Sequence, residues 1–181
     1  MHRRIASIFI AVLMIITTLY GGKSMALQIH SPAFGNGGPI PALYTCDGRD
    51  INPPLRFDGV DPAAKSLVLI VDDPDAPDPD APKITWVHWV LYNLPPDITA
   101  LPEAVYGHGL PTGTREGINS WNRTRFGGPC PPIGRHRYFF KLYALDTILT
   151  FAAIPDKDAV MRAMRGHVLQ EAVLTGTYRK Q

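Results

Sequence analysis

Short runs of hydrophobic residues, separated by many prolines and glycines, cover most of the chain. Runs of this length that are rich in Val, Ile, Leu and aromatic residues are typical of β-strands. The clearest strands are predicted at 66–71, 84–93 and 136–145, with shorter ones at 26–31 and 54–59. Strands therefore dominate, which favours an antiparallel β-sandwich over alternating strands and helices.

Helical spacing occurs only towards the C-terminus. After Pro155, Asp156 and Asp158 take first-turn positions that favour acidic residues, and Gly176 can end a helix. Hydrophobic residues recur every three or four positions in between, at Val160, Met161, Met164, Val168, Leu169 and Ala172. This spacing predicts one C-terminal helix packed against the strands.

Residues 1–26 have the pattern of an export signal. Two arginines precede an apolar run at 5–19, and a small-residue cleavage site ends at Ala26. The run is shorter than the ~20 residues that cross a bilayer comfortably, so a cleaved signal is favoured over an uncleaved anchor. We expect cleavage after Ala26, one domain over 27–181, and a periplasmic or secreted protein.

The export signal changes the charge of the predicted domain. The whole chain has 18 basic and 16 acidic residues, a formal net charge of +2. Segment 1–26 contains Arg3, Arg4 and Lys23 and no acidic residue, so residues 27–181 keep 15 basic residues and a formal net charge of −1. Bulk charge therefore gives no reason to expect a nucleic-acid partner.

His88 is the one ionisable residue in the hydrophobic run 84–93. Side chains alternate between the two faces of a strand, which places Trp86 and His88 on the same face as Val90 and Tyr92. Both faces are apolar, so we expect this strand to be covered on both sides. A single strand histidine is more often a core residue than a ligand contact, and both interpretations stay open.

His136 and Tyr138 stand at the end of the run 136–145 that follows a proline-rich loop. They share one face, whose further residues are apolar. Polar side chains at the end of an otherwise apolar strand face are typical of the mouth of a pocket. Packing explains Tyr138 alone equally well, and an ion pair is the simplest explanation for Arg137.

The loop at 72–82 contains the same five residues twice, DPDAP at 73–77 and again at 78–82. Proline restricts its own backbone and that of its predecessor, so this loop is stiff and holds its carboxylates in position. Calcium is an alternative ligand for its five aspartates, but the Gly and late Glu of an EF-hand loop are absent. For Asp78 and Asp80 we favour a solvated acidic turn.

Cys46 and Cys130 both lie in loop-like segments. An exported protein reaches a compartment in which disulfides form, and a bridge would close a loop of more than 80 residues. Two separate thiols that line one site are the alternative. The sequence leaves both open, because it does not give the distance between the two Cα atoms.

Several segments together resemble the phosphatidylethanolamine-binding protein family, also called the Raf kinase inhibitor-like family, and most closely its bacterial and archaeal branch. They are LVLIVDDPDAP, HWVLYNLP and GPCPPIGRHRYFFKLYALD, with further similarity in YTCDGRDINPPL and MRGHVLQEAVLTGTY. The resemblance covers essentially all of 27–181. It implies an antiparallel Greek-key β-sandwich with peripheral helices, including the C-terminal one.

The resemblance also implies a small surface pocket for phosphate-like and carboxylate anions, including the phosphoethanolamine head group. The ligand-binding residues implied by motif are Asp73, Pro77, Trp86, His88, Gly128, His136 and Tyr138. Either DPDAP copy fits the motif, and we assign the first because it follows the strand 66–71 directly. Family loops contain cis prolines, for which Pro77 is a candidate while Pro131 stays open.

The chemistry of these residue types suits an oxyanion. Imidazoles and a phenol supply hydrogen-bond donors, and Asp73 can orient one histidine through its other ring nitrogen. A bound anion favours the imidazolium forms, so phosphate-type ligands should bind more tightly as the pH falls from 8 towards 6.

We expect a binding protein rather than an enzyme, without cofactor or metal. Relatives that inhibit kinases or serine proteases suggest a protein or envelope-lipid partner by analogy, and bacterial relatives suggest a homodimer. The alternative is a hydrolase or metal-dependent phosphoesterase that uses His88, His136 and Asp73. No close His or Cys pair and no G-x-S-x-G elbow supports it. A structural domain with an inert pocket is the third possibility.

Overall fold

The computed structural model describes residues 25–105 and 109–181, so residues 1–24 of the predicted export signal lie outside the described residues. In chain order its elements are β1 Gln28–His30, a 3-10 turn Ala42–Tyr44, β2 Leu55–Asp58, β3 Ser66–Ala76, β4 Ile84–Leu94, β5 Ala100–Leu101, β6 Arg115–Glu116, β7 Arg135–Leu145, α1 Lys157–Ala163 and β8 Val168–Arg179. None of the helices in this part of the chain is long and apolar enough to cross a membrane.

Two antiparallel sheets form a sandwich. The smaller sheet has the strand order β1-β2-β5 and the larger one β6-β4-β3-β7-β8. Side chains such as Leu69, Trp89 and Phe140 fill the main core between the sheets. The mainly β, antiparallel sandwich predicted from the sequence is therefore confirmed.

The centre of the larger sheet is buried on both faces, since β3 is buried at ten of its eleven positions and its first half contains a continuous hydrophobic run. Alternate residues of β3, such as Leu69 and Ile70, point into different cores. The second core lies beneath α1 and includes Val160 and Met164. The expectation that strand 84–93 is covered on both sides is confirmed, since Val90 also lies in this second core.

The C-terminal helix begins as predicted but is much shorter. Asp156 caps it, with its side chain accepting a hydrogen bond of 2.7 Å from the backbone N–H of Ala159. The helix ends at Ala163, and Val168–Arg179 forms β8. The prediction of a helix that reaches Gly176 is wrong.

Pairing with β7 explains why this segment is extended. β8 pairs with all eleven residues of β7, and such non-local pairing overrides a weak local helical pattern. In the second half of β8, buried residues alternate with more exposed ones, and the buried residues are Leu174, Gly176 and Tyr178. Gly176 packs closely rather than ending a helix, because an added Cβ would lie 2.5 Å from the side chain of Ile40.

Candidate functional site

A cavity of about 490 Å³ brings together most of the predicted site residues. Asp73 and Pro77 from β3 and its loop, Trp86 and His88 from β4, and His136 from β7 all line it. The two histidines thus converge on one cavity although they lie on different strands. A cavity of this size suits a small organic ligand.

A bulge in β4 directs His88 towards this cavity. Val71 of β3 pairs with Trp89, whereas the next residue, Asp72, pairs with Val87. His88 is therefore the extra residue on β4, and a bulge of this kind re-aims the side chains beside it.

The bulge also reverses the predicted alternation of faces. Trp86 and His88 line the cavity, while Val90 and Tyr92 pack in the second core on the other side of the sheet. The prediction that all four side chains share one face is wrong. An inserted residue shifts the alternation by one position, and no local sequence signal marked it.

His88 is buried, with 2% of its surface exposed. Its Nδ1 lies 2.6 Å from the carbonyl oxygen of Gly127, so Nδ1 carries the hydrogen and donates it. The ring packs edge-on against Trp121 and Tyr138 at 5.2 Å in each case. Burial lowers the pKa of His88 from its ordinary value of 6.5, although the Gly127 hydrogen bond and nearby carboxylates oppose this effect. The neutral ring keeps its lone pair on Nε2.

His136 has a different environment, with an acceptor at each ring nitrogen. Nδ1 lies 2.7 Å from Oδ2 of Asp73, and Nε2 lies 2.9 Å from the carbonyl oxygen of Ile133. Asp73 thus orients a histidine, as we expected, and its other oxygen accepts from the N–H of Asp75 at 2.8 Å. Both nitrogens of His136 are therefore occupied within the protein.

The ring of Tyr138 contacts the rings of both histidines. Its ring centroid lies 5.2 Å from that of His88 and 6.4 Å from that of His136. Burial raises the pKa of Tyr138, with a further contribution from Asp73, so the phenol stays protonated at neutral pH. Tyr138 is fully buried in the structure.

Three buried polar atoms in this region have no hydrogen-bond partner, two of them on residues that line the cavity and one on Tyr138, which packs against His88. They are Nε1 of Trp86, Nε2 of His88 and Oη of Tyr138. Buried polar atoms in proteins are nearly always paired, so three unpaired ones on neighbouring residues need an explanation. Their arrangement offers one N–H donor, one nitrogen acceptor and one hydroxyl that can act as either.

The first DPDAP copy forms the cavity wall, as we assigned. The peptide bond between Ala76 and Pro77 is cis, and it is the one cis bond in the part of the chain that the structure describes. The second copy forms a turn beyond the cavity lining, in which Oδ1 of Asp78 accepts from the N–H of Asp80 at 3.0 Å.

Arg137 forms the ion pair that we considered its simplest explanation. Its guanidinium donates to both carboxylate oxygens of Asp75, at 2.7 and 2.9 Å. Its backbone N–H donates to the same carboxylate at 2.9 Å. This contact fixes the start of β7 against the first DPDAP copy.

Of the residues implied by motif, Gly128 and Tyr138 lie outside the cavity lining. The N–H of Gly128 donates to the carboxylate of Asp50, and an added Cβ would lie 2.6 Å from the carbonyl oxygen of Tyr44. Gly128 therefore allows two loops to pack closely. Its neighbour Gly127 has the direct role, because its carbonyl oxygen binds His88.

Cys46 and Cys130 form a disulfide in the structure, with their Cα atoms 5.4 Å apart. The sequence left open a disulfide or two separate thiols, and the structure contains the disulfide. Cys130 lines the cavity, and Pro131 and Pro132 continue the wall. The backbone N–H of Cys46 also donates to the carbonyl oxygen of Pro129 at 3.1 Å. The disulfide therefore joins the loop before β2 to the cavity wall before β7.

Comparison with known proteins defines the family. The family model described as "Phosphatidylethanolamine-binding protein" matches residues 30–179. The chain belongs to the phosphatidylethanolamine-binding protein family. One relative in this family, a UPF0098 protein from Methanothermobacter thermautotrophicus, is 52% identical over 157 residues, which cover 86% of this chain and 99% of the relative.

Two solved structures of family members are similar to this one. A putative phosphatidylethanolamine-binding protein homologue from Chlamydia trachomatis is 42% identical with a TM-score of 0.78, covering 86% of this chain and 99% of that one. YbcL from E. coli, described as a new member of the mammalian family, is 30% identical with a TM-score of 0.77, covering 87% and 100%. These similarities confirm the resemblance to the bacterial and archaeal branch.

Several cavity residues of this phosphatidylethanolamine-binding protein family member were missed from the sequence, among them Trp121 and Lys83. Trp121 packs edge-on against Trp86 at 5.3 Å and against His88 at 5.2 Å. It lies in an irregular loop, where no periodicity could have marked it. Lys83 also lines the cavity, and its position directly before the strand that carries Trp86 and His88 was a readable signal.

The alternative of a metal-dependent phosphoesterase needs a set of metal ligands. Among residues 25–105 and 109–181, no group of three or more His, Cys, Asp or Glu side chains is arranged to hold a metal ion. The Asp73–His136 pair described above is instead fully hydrogen-bonded within the protein.

Proposed function

We propose that this cavity binds a small oxyanion of the phosphate or carboxylate type, such as a phosphoethanolamine head group, and that the protein is a binding protein rather than an enzyme. The observation that carries the proposal is the set of three buried, unpartnered polar atoms on Trp86, His88 and Tyr138. A ligand that combines oxygen acceptors with a hydroxyl donor has the groups that could pair with these atoms.

The charges around the cavity are compatible with an anion. Asp73 lines the cavity, but one of its carboxylate oxygens is hydrogen-bonded to His136 and the other to the N–H of Asp75. Lys83 adds a positive charge at the exposed side of the lining. An anion that enters therefore meets the cation Lys83, and the carboxylate that faces it is already hydrogen-bonded.

The remaining lining gives the ligand its second contact. Apolar surface surrounds these polar atoms and comes from Ile84, Trp86, Trp121, Pro131 and Pro132. Small-molecule sites typically combine such walls with a few placed polar groups. The apolar walls would contact the carbon atoms that carry the anionic group.

We further propose that the protein functions in the periplasm or outside the cell. The pattern of residues 1–26 supports this proposal, because it combines basic residues, an apolar run and a cleavage site at Ala26. The disulfide between Cys46 and Cys130 adds support, since disulfides persist mainly in oxidising compartments. N-terminal sequencing of the protein recovered from the periplasm tests it, and recovery of uncleaved protein from the cytosol would contradict it.

Binding is tested with inorganic phosphate, phosphoethanolamine and acetate, by calorimetry and by thermal unfolding. A ligand present at 100 times its Kd should add about 2.7 kcal/mol to the free energy of unfolding. If none of the three raises the melting temperature of the wild-type protein, the proposal is wrong and the cavity is inert.

His88→Asn is the informative variant for this test. Asparagine keeps a donor for the carbonyl of Gly127 but removes Nε2. We expect roughly 10- to 100-fold weaker phosphate binding, because a hydrogen bond to a charged group contributes about 1.5–3 kcal/mol. His30→Asn, which removes a histidine outside the cavity lining, is the matched control and should bind as wild type does.

A further inference from the structure

We propose that the cavity selects oxyacids that still carry a proton, and that it therefore prefers a phosphomonoester to a sulfate ester of the same shape and charge. The inference rests on the anion-binding function proposed above. It is carried by one fixed hydrogen-bond acceptor, Nε2 of His88, which lies among donors.

The geometry of His88 fixes which nitrogen is the acceptor. A carbonyl oxygen can only accept, so the 2.6 Å contact with Gly127 places the hydrogen on Nδ1. The opposite nitrogen, Nε2, is buried and has no partner. Trp121 and Tyr138 contact the ring edge-on, and a flipped ring would turn a carbon atom towards the carbonyl oxygen of Gly127. The neutral ring therefore offers a lone pair, and no hydrogen, at Nε2.

Nearby carboxylates would favour a proton on Nε2, but each of them already has a partner within the protein. The charged and titratable groups around His88 are Asp72 and Asp73 on β3, His136 and Tyr138 on β7, Asp50 in the loop before β2, and Lys83 in the cavity lining. Asp73 binds His136, and Asp50 accepts from the N–H of Gly128. Asp72 is paired with two lysines, Lys141 and Lys157, at 2.8 and 2.7 Å.

Burial then keeps the ring neutral. Desolvation is the largest influence on the pKa of His88 and lowers it, in spite of the carboxylates. A cation such as Lys83 also disfavours a second positive charge close by. Over the neutral pH range, the ligand rather than His88 has to bring the proton.

The three unpartnered atoms define the complementary ligand. The N–H of Trp86, on the cavity lining, can donate to an anionic oxygen, and the unpaired hydroxyl of Tyr138 belongs to the ring that packs against His88. Nε2 of His88 needs a ligand hydroxyl that donates to it. A phosphomonoester monoanion has both kinds of oxygen, whereas a sulfate ester has no proton to offer and would leave Nε2 unpaired. Sites built around a hydrogen bond strongly reject analogues that lack it.

Methyl phosphate and methyl sulfate are suitable probes, because their monoanions match in shape and charge. We expect methyl sulfate to bind the wild-type protein at least about tenfold more weakly at pH 6. Its affinity should be the same at pH 6 and pH 8. Calorimetry on the purified protein measures both.

Methyl phosphate should show a steep dependence on pH. A phosphomonoester has a second pKa of about 6, so the monoanion falls from about half of the ligand at pH 6 to about 1% at pH 8. If the protein binds only the monoanion, the apparent affinity falls about 50-fold over this interval. Calorimetry at pH 8 in buffers of different ionisation enthalpy should show an uptake of about one proton per ligand.

The outcomes separate this inference from the proposed function. Two outcomes would mean that His88 takes up the proton: equal binding of the two esters at pH 6, or methyl sulfate binding that strengthens on acidification. Either would overturn the inference, while the proposed anion binding would stand. Binding of neither ester would overturn the proposed function itself.

The variant His88→Asn gives an independent check. Without Nε2 the two esters should bind within about threefold of each other, and a preference retained at about tenfold would contradict the inference. Circular dichroism and the ligand-free melting temperature establish that the variant is folded. If it is not, the two esters compared on the wild-type protein decide the question alone.

Discussion

At the residue scale, the two cavity histidines have opposite roles because their hydrogen-bond partners differ. His136 faces Asp73 and a backbone carbonyl, so both nitrogens are used to join β3 to the loop before β7. His88 has one carbonyl partner, which leaves one nitrogen for a ligand. The sequence predicted both histidines as ligand-binding residues. In the structure, His136 binds Asp73 and has a structural role, whereas His88 keeps one nitrogen for a ligand.

The buried state of His88 predicts a loss of stability on acidification. Because its pKa is lowered in the folded protein, the unfolded chain takes up a proton near pH 6.5 that the folded protein does not. Stability conferred by the neutral ring is present above pH 6.5 and is lost as the pH falls below it, by at most about 1.4 kcal/mol per pH unit. Urea unfolding at pH 8 and pH 5.5 measures this loss.

His88→Asn removes the titrating group and is the comparison for that experiment. The variant should lose less free energy of unfolding between the two pH values than the wild type does. His30→Asn, an exposed histidine on β1, should behave as the wild type. An equal loss in His88→Asn and wild type would show that His88 is not a buried neutral histidine.

At the element scale, hydrophobic runs predicted the central strands well and their irregularities poorly. β3, β4 and β7 begin within one residue of the predicted runs, because buried strands need continuous apolar sequence. The bulge that turns His88 and the pairing that extends β8 depend on the neighbouring strands. No window of the sequence alone contains that information.

The tandem DPDAP loop provides a matched pair of variants. In each copy the first aspartate accepts a hydrogen bond from the N–H two residues later, at 2.8 Å for Asp73 and 3.0 Å for Asp78. Asparagine preserves this acceptor in both. Asp73 alone of the two also binds His136, so Asp73→Asn breaks a buried hydrogen-bonded pair.

We expect Asp73→Asn to lower the free energy of unfolding by about 3 kcal/mol, as is typical when one member of a buried pair is removed. Asp78→Asn should stay within about 0.5 kcal/mol of the wild type. Urea unfolding at pH 7.5 compares them. Equal effects of the two substitutions would show that the contact between Asp73 and His136 does not stabilise the folded protein.

At the scale of the whole molecule, the sandwich supports the site by holding loops from distant parts of the chain together. The resemblance to the family predicted which residues meet, and the structure brings His88, His136 and Asp73 to one cavity. Trp121 could not be placed in advance, because it reaches the cavity from an irregular loop. Nor could the sequence show that Gly128 packs behind the wall, since glycine at a motif position suits close packing and ligand contact equally.

The disulfide is the covalent part of this arrangement, and its removal should affect both stability and ligand binding. Cys46 and Cys130 are 84 residues apart in sequence. In the chain-entropy model, closing a loop of this length contributes about 4 kcal/mol to the free energy of unfolding. The double variant Cys46→Ser, Cys130→Ser should lose most of this, as measured by urea unfolding at pH 7.5.

Ligand affinity should fall as well, because the loop beside Cys130 supplies two of the carbonyl groups that hold the histidines. Gly127 accepts from His88 and Ile133 from His136, so a freer loop orients both rings less well. We expect weaker phosphate binding in the double variant and in wild-type protein treated with dithiothreitol, whereas dithiothreitol should not affect the double variant. If reduction lowers the stability but leaves the phosphate affinity unchanged, then hydrogen bonds such as that from Cys46 to Pro129 suffice to hold the wall, and the disulfide stabilises the fold alone.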